Sequence, residues 1–129
     1  MAAQDTRASA IRRRVCGAAH TVYRTLGWGW REEVYREALA VELAPLKVAC
    51  EVAMPILYKG TPLSHVSVRW DMVVEGCVLV ELKAVKSKLS IAAARQCQRY
   101  DAGAGHLCVA INFPDRPRAQ VEIATTIDT

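Results

Sequence analysis

Two apolar stretches joined by Glu75-Gly76 constrain the fold of this chain more than any other part of its sequence. The first, VSVRWDMVV, alternates between apolar and more polar residues, which is typical of a β-strand with one buried face. The second, VLVELKAV, is apolar enough for the centre of a sheet. Because Glu-Gly is a turn signal, the two stretches are predicted to pair as an antiparallel hairpin.

The second strand nevertheless carries an acid and a base. Glu81 and Lys83 are two residues apart, so both project from one face of the strand, and Leu82 projects from the other. Asp71 lies on the more polar face of the first strand, and nine residues separate it from Glu81. If the hairpin brings these faces together, two carboxylates converge beside an ammonium group.

The loop of the hairpin decides whether these groups meet. A two-residue loop would place Asp71 opposite Val80 and therefore on the other face from Glu81. A shared site requires an odd-numbered loop or a bulge, such as a type I turn followed by a left-handed glycine, and Gly76 can supply that conformation. The alternative is that Glu81 and Lys83 form an exposed ion pair without a function.

Two carboxylates and an ammonium group suit a divalent cation with a base beside it. Mg²⁺ and Mn²⁺ prefer oxygen ligands and bind through one or two carboxylates plus a substrate phosphate. Asp71, Glu81 and the carbonyl oxygen of Leu82 are the expected ligands. Lys83 would orient or deprotonate a water molecule, or neutralise charge on the phosphate.

Helices precede and follow the hairpin. Apolar residues recur at helical spacing over residues 11–26, with Ser9 as the N-cap and Gly27 at the end. A second helix is predicted from Trp30 to the residues before Pro45. Its inward stripe consists of Val34, Tyr35, Ala38, Leu39, Val41 and Leu43.

Two acids lie on this stripe, Glu32 at its edge and Glu42 near its centre. An acid on an apolar face needs an ion pair, a hydrogen bond or a cation. Because ten helical residues span about 15 Å, the two acids cannot serve one ion. For Glu42, pairing with an arginine such as Arg69 is an equal alternative.

The remaining strands complete a mixed sheet. Residues 48–54 alternate as a strand, and a helix capped by Ser90 and ended by Gly103 leads to the buried strand HLCVAINF. A helical crossover makes that strand parallel to the Glu81 strand, and Val121 with Ile123 suggests an edge strand. The expected fold is one α/β domain over residues 1–129, in the order α-α-β-β-β-α-β-β, with residues 1–8 as a flexible tail.

Composition narrows the class of protein. A net charge of +4 and a pI near 8.9 fit an anionic partner. The chain opens without a signal-peptide pattern and has no stretch of about 20 apolar residues, so we expect a soluble intracellular protein that does not bind a membrane. Five widely spaced cysteines, without a CxxC pair, predict neither a disulfide framework nor a zinc site.

The sequence resembles the GxxExxY proteins of the PD-(D/E)XK nuclease superfamily. The naming motif is Gly29-Trp30-Arg31-Glu32-Glu33-Val34-Tyr35, and similar stretches follow in the family's order as ALAVEL, PILYKG, VRWDMVV, VELKAV, QCQRY and INF. The resemblance covers about Cys16 to Phe113. Trp28 and Trp30 depart from it, because smaller or aliphatic residues are usual there.

The resemblance implies a restriction-endonuclease-like core with Asp71, Glu81, Lys83 and Glu32 as catalytic residues. It favours Glu32 over Glu42 as the further metal ligand. The expected activity is that of a Mg²⁺- or Mn²⁺-dependent nuclease. Its substrate would be nucleic acid, DNA rather than RNA, and formation of a homodimer is one possible source of its specificity. The residues expected to contact nucleic acid are Gln96, Tyr100, Lys86, Lys88, Arg95 and Arg99. Alternatively, Tyr100 is an aromatic residue of the core and does not contact nucleic acid. The rival function is an inactive scaffold that binds nucleic acid or protein, which exposed tryptophans would favour.

Overall fold

The computed structural model describes residues 2–89, 92, 95 and 106–125 of the chain. Within these residues, the elements with defined bounds are two helices and one five-stranded sheet, whose strands lie in chain order across the sheet. The elements are α1 (Ala2–Leu26), α2 (Glu32–Leu43), β1 (Val48–Tyr58), β2 (Thr61–Val74), β3 (Val78–Lys83), β4 (Leu107–Asn112) and β5 (Glu122–Thr125). The predicted α/β class is confirmed. The helix predicted from Ser90 to Gly103 falls mostly outside the described residues.

The sheet is mixed, as the sequence predicts. β1, β2 and β3 pair antiparallel, β3 and β4 pair parallel, and β5 is antiparallel to β4. In the parallel pair, Lys83 lies opposite Asn112 at the end of both strands. The carboxyl end of β3, which carries the acid and base, therefore shares one edge of the sheet with the carboxyl end of β4.

Helices α1 and α2 pack on one face of the sheet and form the main core. Tyr35 of α2 is fully buried and stacks on Phe113, with ring centroids 4.4 Å apart and an interplanar angle of 2°. Tyr23 of α1 contacts both rings at a tilt. A second, smaller cluster is made of Trp70, Val73, Leu79 and Cys108.

Two details of the helices differ from the predictions. Helix α1 begins at Ala2, so residues 2–8, predicted as a flexible tail, have helical backbone, and Ser9 lies inside the helix instead of capping it. The early residues include several alanines and no glycine or proline, which lets the helix extend toward the amino terminus. Val41 was wrongly placed on the inward stripe, since it is 74% exposed. The buried stripe of α2 is Tyr35, Leu39 and Leu43, spaced by four.

The hairpin loop has the odd length that the shared site requires. Val74 pairs with Val78, which leaves three residues in the loop, and Gly76 has φ of 66°. Glu75 is also left-handed, with φ of 52°, so the loop is not a type I turn followed by glycine. The Glu75 carboxylate accepts hydrogen bonds from the Lys47 amide (2.6 Å) and from Arg7 (2.8 Å), which offsets the strain of its backbone.

Two glycine substitutions are expected to change stability in opposite directions. Gly76→Ala places a side chain at positive φ and should lower the free energy of unfolding by about 1 kcal/mol. Gly17→Ala lies in α1 with open space around the added Cβ, and should raise it by about 0.5–1 kcal/mol. Urea denaturation measures both, and equal signs for the two variants would contradict the left-handed loop.

The cysteines only partly follow the prediction. Cys16, Cys50 and Cys77 are free thiols, and Cys50 is exposed. Cys108 is disulfide-bonded, which the wide spacing of the cysteines did not predict. Within the described ranges, neither helix has the length and apolar character that crossing a membrane requires.

Candidate functional site

Asp71 and Glu81 lie side by side on β2 and β3. The register pairs Met72 with Val80, and continuing it by one residue places Asp71 opposite Glu81. The Asp71 side chain also bonds to the backbone of the neighbouring strand, since its Oδ2 accepts a hydrogen bond from the Leu82 amide at 2.6 Å. The carboxylate of Asp71 is thereby fixed beside the backbone of β3.

The backbone of β3 alternates between its two neighbours. The Lys83 carbonyl accepts from the Phe113 amide on the β4 side, whereas the Leu82 amide points to Asp71 on the β2 side. Because the N–H and C=O of one strand residue face the same neighbour, the Leu82 carbonyl also faces β2. The carbonyl predicted as a ligand is therefore on the same side of β3 as Asp71.

The side chains of β3 alternate as well. Val80 and Leu82 belong to the core under the helices, and Leu79 belongs to the cluster on the opposite face. Glu81 and Lys83 share the face of Leu79 by the two-residue period of a strand. Lys83 is exposed, and Glu81 is only partly so. The acid is thus at the rim of a buried cluster, with the ammonium group toward solvent.

Glu81 is held in an environment that disfavours its charge. Burial, and next the Asp71 carboxylate, raise the pKa of Glu81 from 4.5 to about 7, although a backbone hydrogen bond from Asp71 and the Lys83 ammonium act in the opposite direction. Its Oε1 is buried and has no hydrogen-bond partner among the residues that the structure describes. A buried carboxylate oxygen without a donor is costly unless a proton or a cation satisfies it.

Glu32, the first residue of α2, lies close enough to Asp71 and Lys83 for their charges to act on it. Burial and the charge of Asp71 raise its pKa, and Lys83 lowers it. Among the described residues, however, no three His, Cys, Asp or Glu side chains form a group that could hold a metal ion. Glu32 therefore influences Asp71 and Lys83 through its charge but does not complete a three-carboxylate cluster with Asp71 and Glu81.

Glu42 lies apart from this group. It is exposed and borders a surface hollow lined by Arg13 and Arg14 of α1, so its predicted place near the centre of the inward stripe was wrong. The suggested partner Arg69 instead lies 3.7 Å from Glu51. The choice of Glu32 over Glu42 stays a prediction.

The structure gives a physical reason for the spacing of Gly29, Glu32 and Tyr35. Gly29 has φ of 98°, a conformation that suits glycine, and turns the chain before α2 begins at Glu32. One turn later, the Tyr35 hydroxyl donates to the Gly27 carbonyl at 2.7 Å and accepts from the Trp30 amide at 3.4 Å. Tyr35 thus fixes the loop that positions Glu32.

The structure describes three of the residues that are predicted to contact nucleic acid. Lys86 and Lys88 follow β3 and are exposed, and Arg95 is exposed and helical. They provide basic side chains downstream of Lys83. Gln96, Arg99 and Tyr100 lie outside the described residues.

A buried network that the sequence analysis missed supports the segment after β3. The Asn112 side chain is fully buried, accepts from the Val85 amide at 3.0 Å and donates to the Glu122 carboxylate at 2.9 Å. Glu122 also accepts from the Leu89 amide at 3.0 Å. The available signal was the polar residue 112 inside the otherwise apolar strand CVAINF, since a buried amide needs partners.

Stability without added cation is expected to fall as the pH rises from about 5 to about 8. Between the unfolded pKa near 4.5 and the folded pKa of about 7, the folded state keeps a proton on Glu81 that the unfolded state has released, so rising pH favours unfolding. The loss should be on the order of 2 kcal/mol, reduced because Glu81 is partly exposed. Thermal unfolding of wild type and Glu81→Gln checks this. The variant should be less pH-dependent and more stable than wild type near pH 8, and parallel pH profiles would contradict it.

Comparison with known proteins identifies the family of the chain. A family model described as the PD-(D/E)XK nuclease superfamily matches residues 9–124, which span α2, the hairpin and β4. No curated protein and no solved structure matches the chain significantly. The matched range covers most of the chain and includes Asp71, Glu81 and Lys83. The chain therefore belongs to the PD-(D/E)XK nuclease superfamily.

Proposed function

We propose that the chain is a Mg²⁺- or Mn²⁺-dependent nuclease of the GxxExxY type that hydrolyses phosphodiester bonds, with DNA favoured over RNA. One observation carries the proposal. Asp71 and Glu81 lie opposite one another, with Lys83 two residues on, and one buried oxygen of Glu81 lacks a partner within the described part of the chain. A structural ion pair alone would not leave two carboxylates adjacent and one of them with a raised pKa.

The donor set fits a divalent cation. Asp71 and Glu81 supply two carboxylates, and the Leu82 carbonyl is on the same side of β3 as Asp71. Mg²⁺ needs only one or two carboxylates because it keeps several waters and takes substrate phosphate oxygens, so a third acidic ligand is not required. When bound, the cation would polarise the phosphate and lower the pKa of a water molecule.

The chain's own residues then have distinct roles. Asp71, anchored to the Leu82 amide, and Glu81 hold the charge that attracts the cation. Lys83 orients or deprotonates the attacking water or neutralises negative charge that develops on the phosphate. Glu32, the first residue of α2, acts through its charge on this group without coordinating directly.

Affinity for nucleic acid would come from basic residues along the chain after β3. We propose that Lys86, Lys88 and Arg95 contact phosphates, and that Arg99, Gln96 and Tyr100 add further contacts. Such contacts provide binding that depends on salt and not on base sequence. Selection of the target would then rely on substrate shape or on a homodimer.

A cleavage screen tests the proposal. Single-stranded, duplex and flapped DNA and single-stranded RNA are incubated with Mn²⁺, with and without EDTA, using wild type and Asp71→Asn. We expect wild type to cleave at least one DNA substrate in a Mn²⁺-dependent manner and Asp71→Asn to be inactive on it. Inactivity of wild type on every substrate, or equal cleavage by the two proteins, would contradict the proposal.

An inactive scaffold remains the second candidate because of one observation. Trp28 and Trp30 are 51% and 49% exposed, and exposed tryptophans are typical of binding surfaces. A scaffold of the same fold would bind partners without needing Asp71 and Glu81 to hold a cation. Cation binding by these two residues therefore separates the two functions.

A further inference from the structure

A cavity of about 460 Å³ lies where the end of α1 meets the loop between β4 and β5. This volume is in the range of small-ligand sites, about 300–1,000 Å³. The side chains that line it include His20, Tyr23, Arg24, Trp28, Arg118 and Gln120. None of the described lining residues is acidic. The cavity therefore favours an anionic ligand with an aromatic part.

The two arginines are available to such a ligand. Arg24 and Arg118 are both exposed, and neither forms an ion pair within the part of the chain that the structure describes. Arg118 has φ of 58°, a conformation that costs a residue with a Cβ about 1–2 kcal/mol. Strained residues of this kind are concentrated at binding sites, where the side chain must point in a fixed direction.

Hydrogen bonds link the wall of the cavity to the backbone at the end of β3. Its wall residue Tyr23 donates a hydrogen bond to the Pro114 carbonyl at 2.7 Å, and the adjacent Phe113 amide donates to the Lys83 carbonyl at 2.9 Å. On the other side, the carbonyl of the lining residue Gly27 accepts a hydrogen bond from the Tyr35 hydroxyl. This hydrogen bond fixes the loop before Glu32. The wall of the cavity therefore lies next to the carboxyl ends of β3 and β4, the edge of the sheet at which Lys83 ends β3.

We propose that this cavity binds one unpaired nucleotide of the substrate, with its base stacked on Trp28 and its phosphate held by Arg24 and Arg118. This inference rests on the proposed nuclease function and adds a preference for single-stranded segments or frayed ends. In a duplex, neighbouring bases cover both faces of each base, whereas an unpaired base can stack on an aromatic side chain. Duplex DNA would therefore use the basic residues after β3 without filling the cavity.

Two matched pairs of variants test the proposal. Trp28→Ala is compared with Trp30→Ala, which removes an equally exposed tryptophan that does not line the cavity. Arg118→Gly is compared with Lys59→Gly, because both remove one positive charge at a left-handed position and Lys59 is at the β1–β2 tip. Fluorescence anisotropy measures binding of a labelled single-stranded DNA and its duplex in EDTA, which prevents cleavage. Thermal unfolding confirms that each variant is folded.

We expect Trp28→Ala to bind single-stranded DNA about 10-fold more weakly than wild type, with duplex binding changed less than about 2-fold. Arg118→Gly should weaken single-strand binding and reduce its salt dependence by about 0.7 in the log-log slope. The Trp30 and Lys59 variants should match wild type. Quenching of tryptophan fluorescence by the oligonucleotide should be reduced in Trp28→Ala and retained in Trp30→Ala.

The outcomes separate this inference from the function on which it rests. If wild type binds single-stranded DNA and each cavity variant matches its control, the cavity is not a nucleotide site, and the cation-dependent nuclease is unaffected. If wild type binds no nucleic acid, both the nuclease function and the nucleotide site are contradicted. Equal weakening of single-strand and duplex binding by Trp28→Ala would also overturn the preference for an unpaired nucleotide.

Discussion

Lys83→Ala is expected to lower the rate of Mn²⁺-dependent cleavage by about 100- to 1,000-fold, the size of effect seen when one preorganised transition-state contact or acid–base group is lost. Lys83 ends β3, two residues after Glu81 on the same face, and is the ammonium group whose charge acts on both Glu81 and Glu32. It is not a cation ligand. Binding of Mn²⁺ should therefore be retained, and even strengthened, when this positive charge is removed.

The matched control for this variant is Lys86→Ala. Lys86 is also exposed and close in sequence, but its proposed role is a phosphate contact, so its loss should weaken substrate binding by a few-fold and change the rate at saturating substrate little. Single-turnover cleavage at saturating DNA separates the two effects. Equal rates for Lys83→Ala and Lys86→Ala would contradict a role for Lys83 in the chemical step.

Tyr35→Ala is expected to lower the free energy of unfolding by about 3–5 kcal/mol, as other large-to-small substitutions of buried aromatic residues do. Tyr35 is fully buried, stacks on Phe113 and joins α2 to the Gly27 carbonyl. Urea denaturation measures this loss. Tyr35→Phe keeps the stacked ring and leaves the Gly27 carbonyl without its donor, so a smaller loss of about 1–3 kcal/mol is expected.

Val41→Ala provides the control on the same helix. Val41 is 74% exposed, and its truncation should change stability by no more than about 0.5 kcal/mol. Tyr35→Phe should also lower cleavage, because the loop before Glu32 loses its anchor. Wild-type stability in Tyr35→Ala would contradict the role of this residue in joining the helices to the sheet.

The central hairpin could be predicted from sequence because its constraints are local. Alternation fixed which residues share a face, and the need for Asp71 to meet Glu81 required an odd loop, which the three-residue loop with left-handed Gly76 confirms. The parallel pairing of β3 and β4 followed from the length of the connection. These rules depend on few residues and little on the rest of the fold.

Other features depend on tertiary contacts that periodicity does not reveal. Val41 and Glu42 were placed on the buried stripe because an apolar pattern does not show where α2 leaves the sheet, and both are exposed. The interaction of Asn112 with Glu122 joins residues on paired strands whose register was unknown in advance. The cavity lined by Trp28 lies between the end of α1 and a loop about 90 residues later in the chain, and only the fold brings these two segments together.

Calorimetric titration with Mn²⁺ tests the pairing of Asp71 and Glu81 around one cation most directly. It should be performed near pH 8, where Glu81 is mostly ionised. Wild type is expected to bind one Mn²⁺, Asp71→Asn to bind at least about 10-fold more weakly, and the exposed-acid control Glu42→Gln to match wild type. Absence of Mn²⁺ binding by wild type, or equal affinity in wild type and Asp71→Asn, would contradict the cation site.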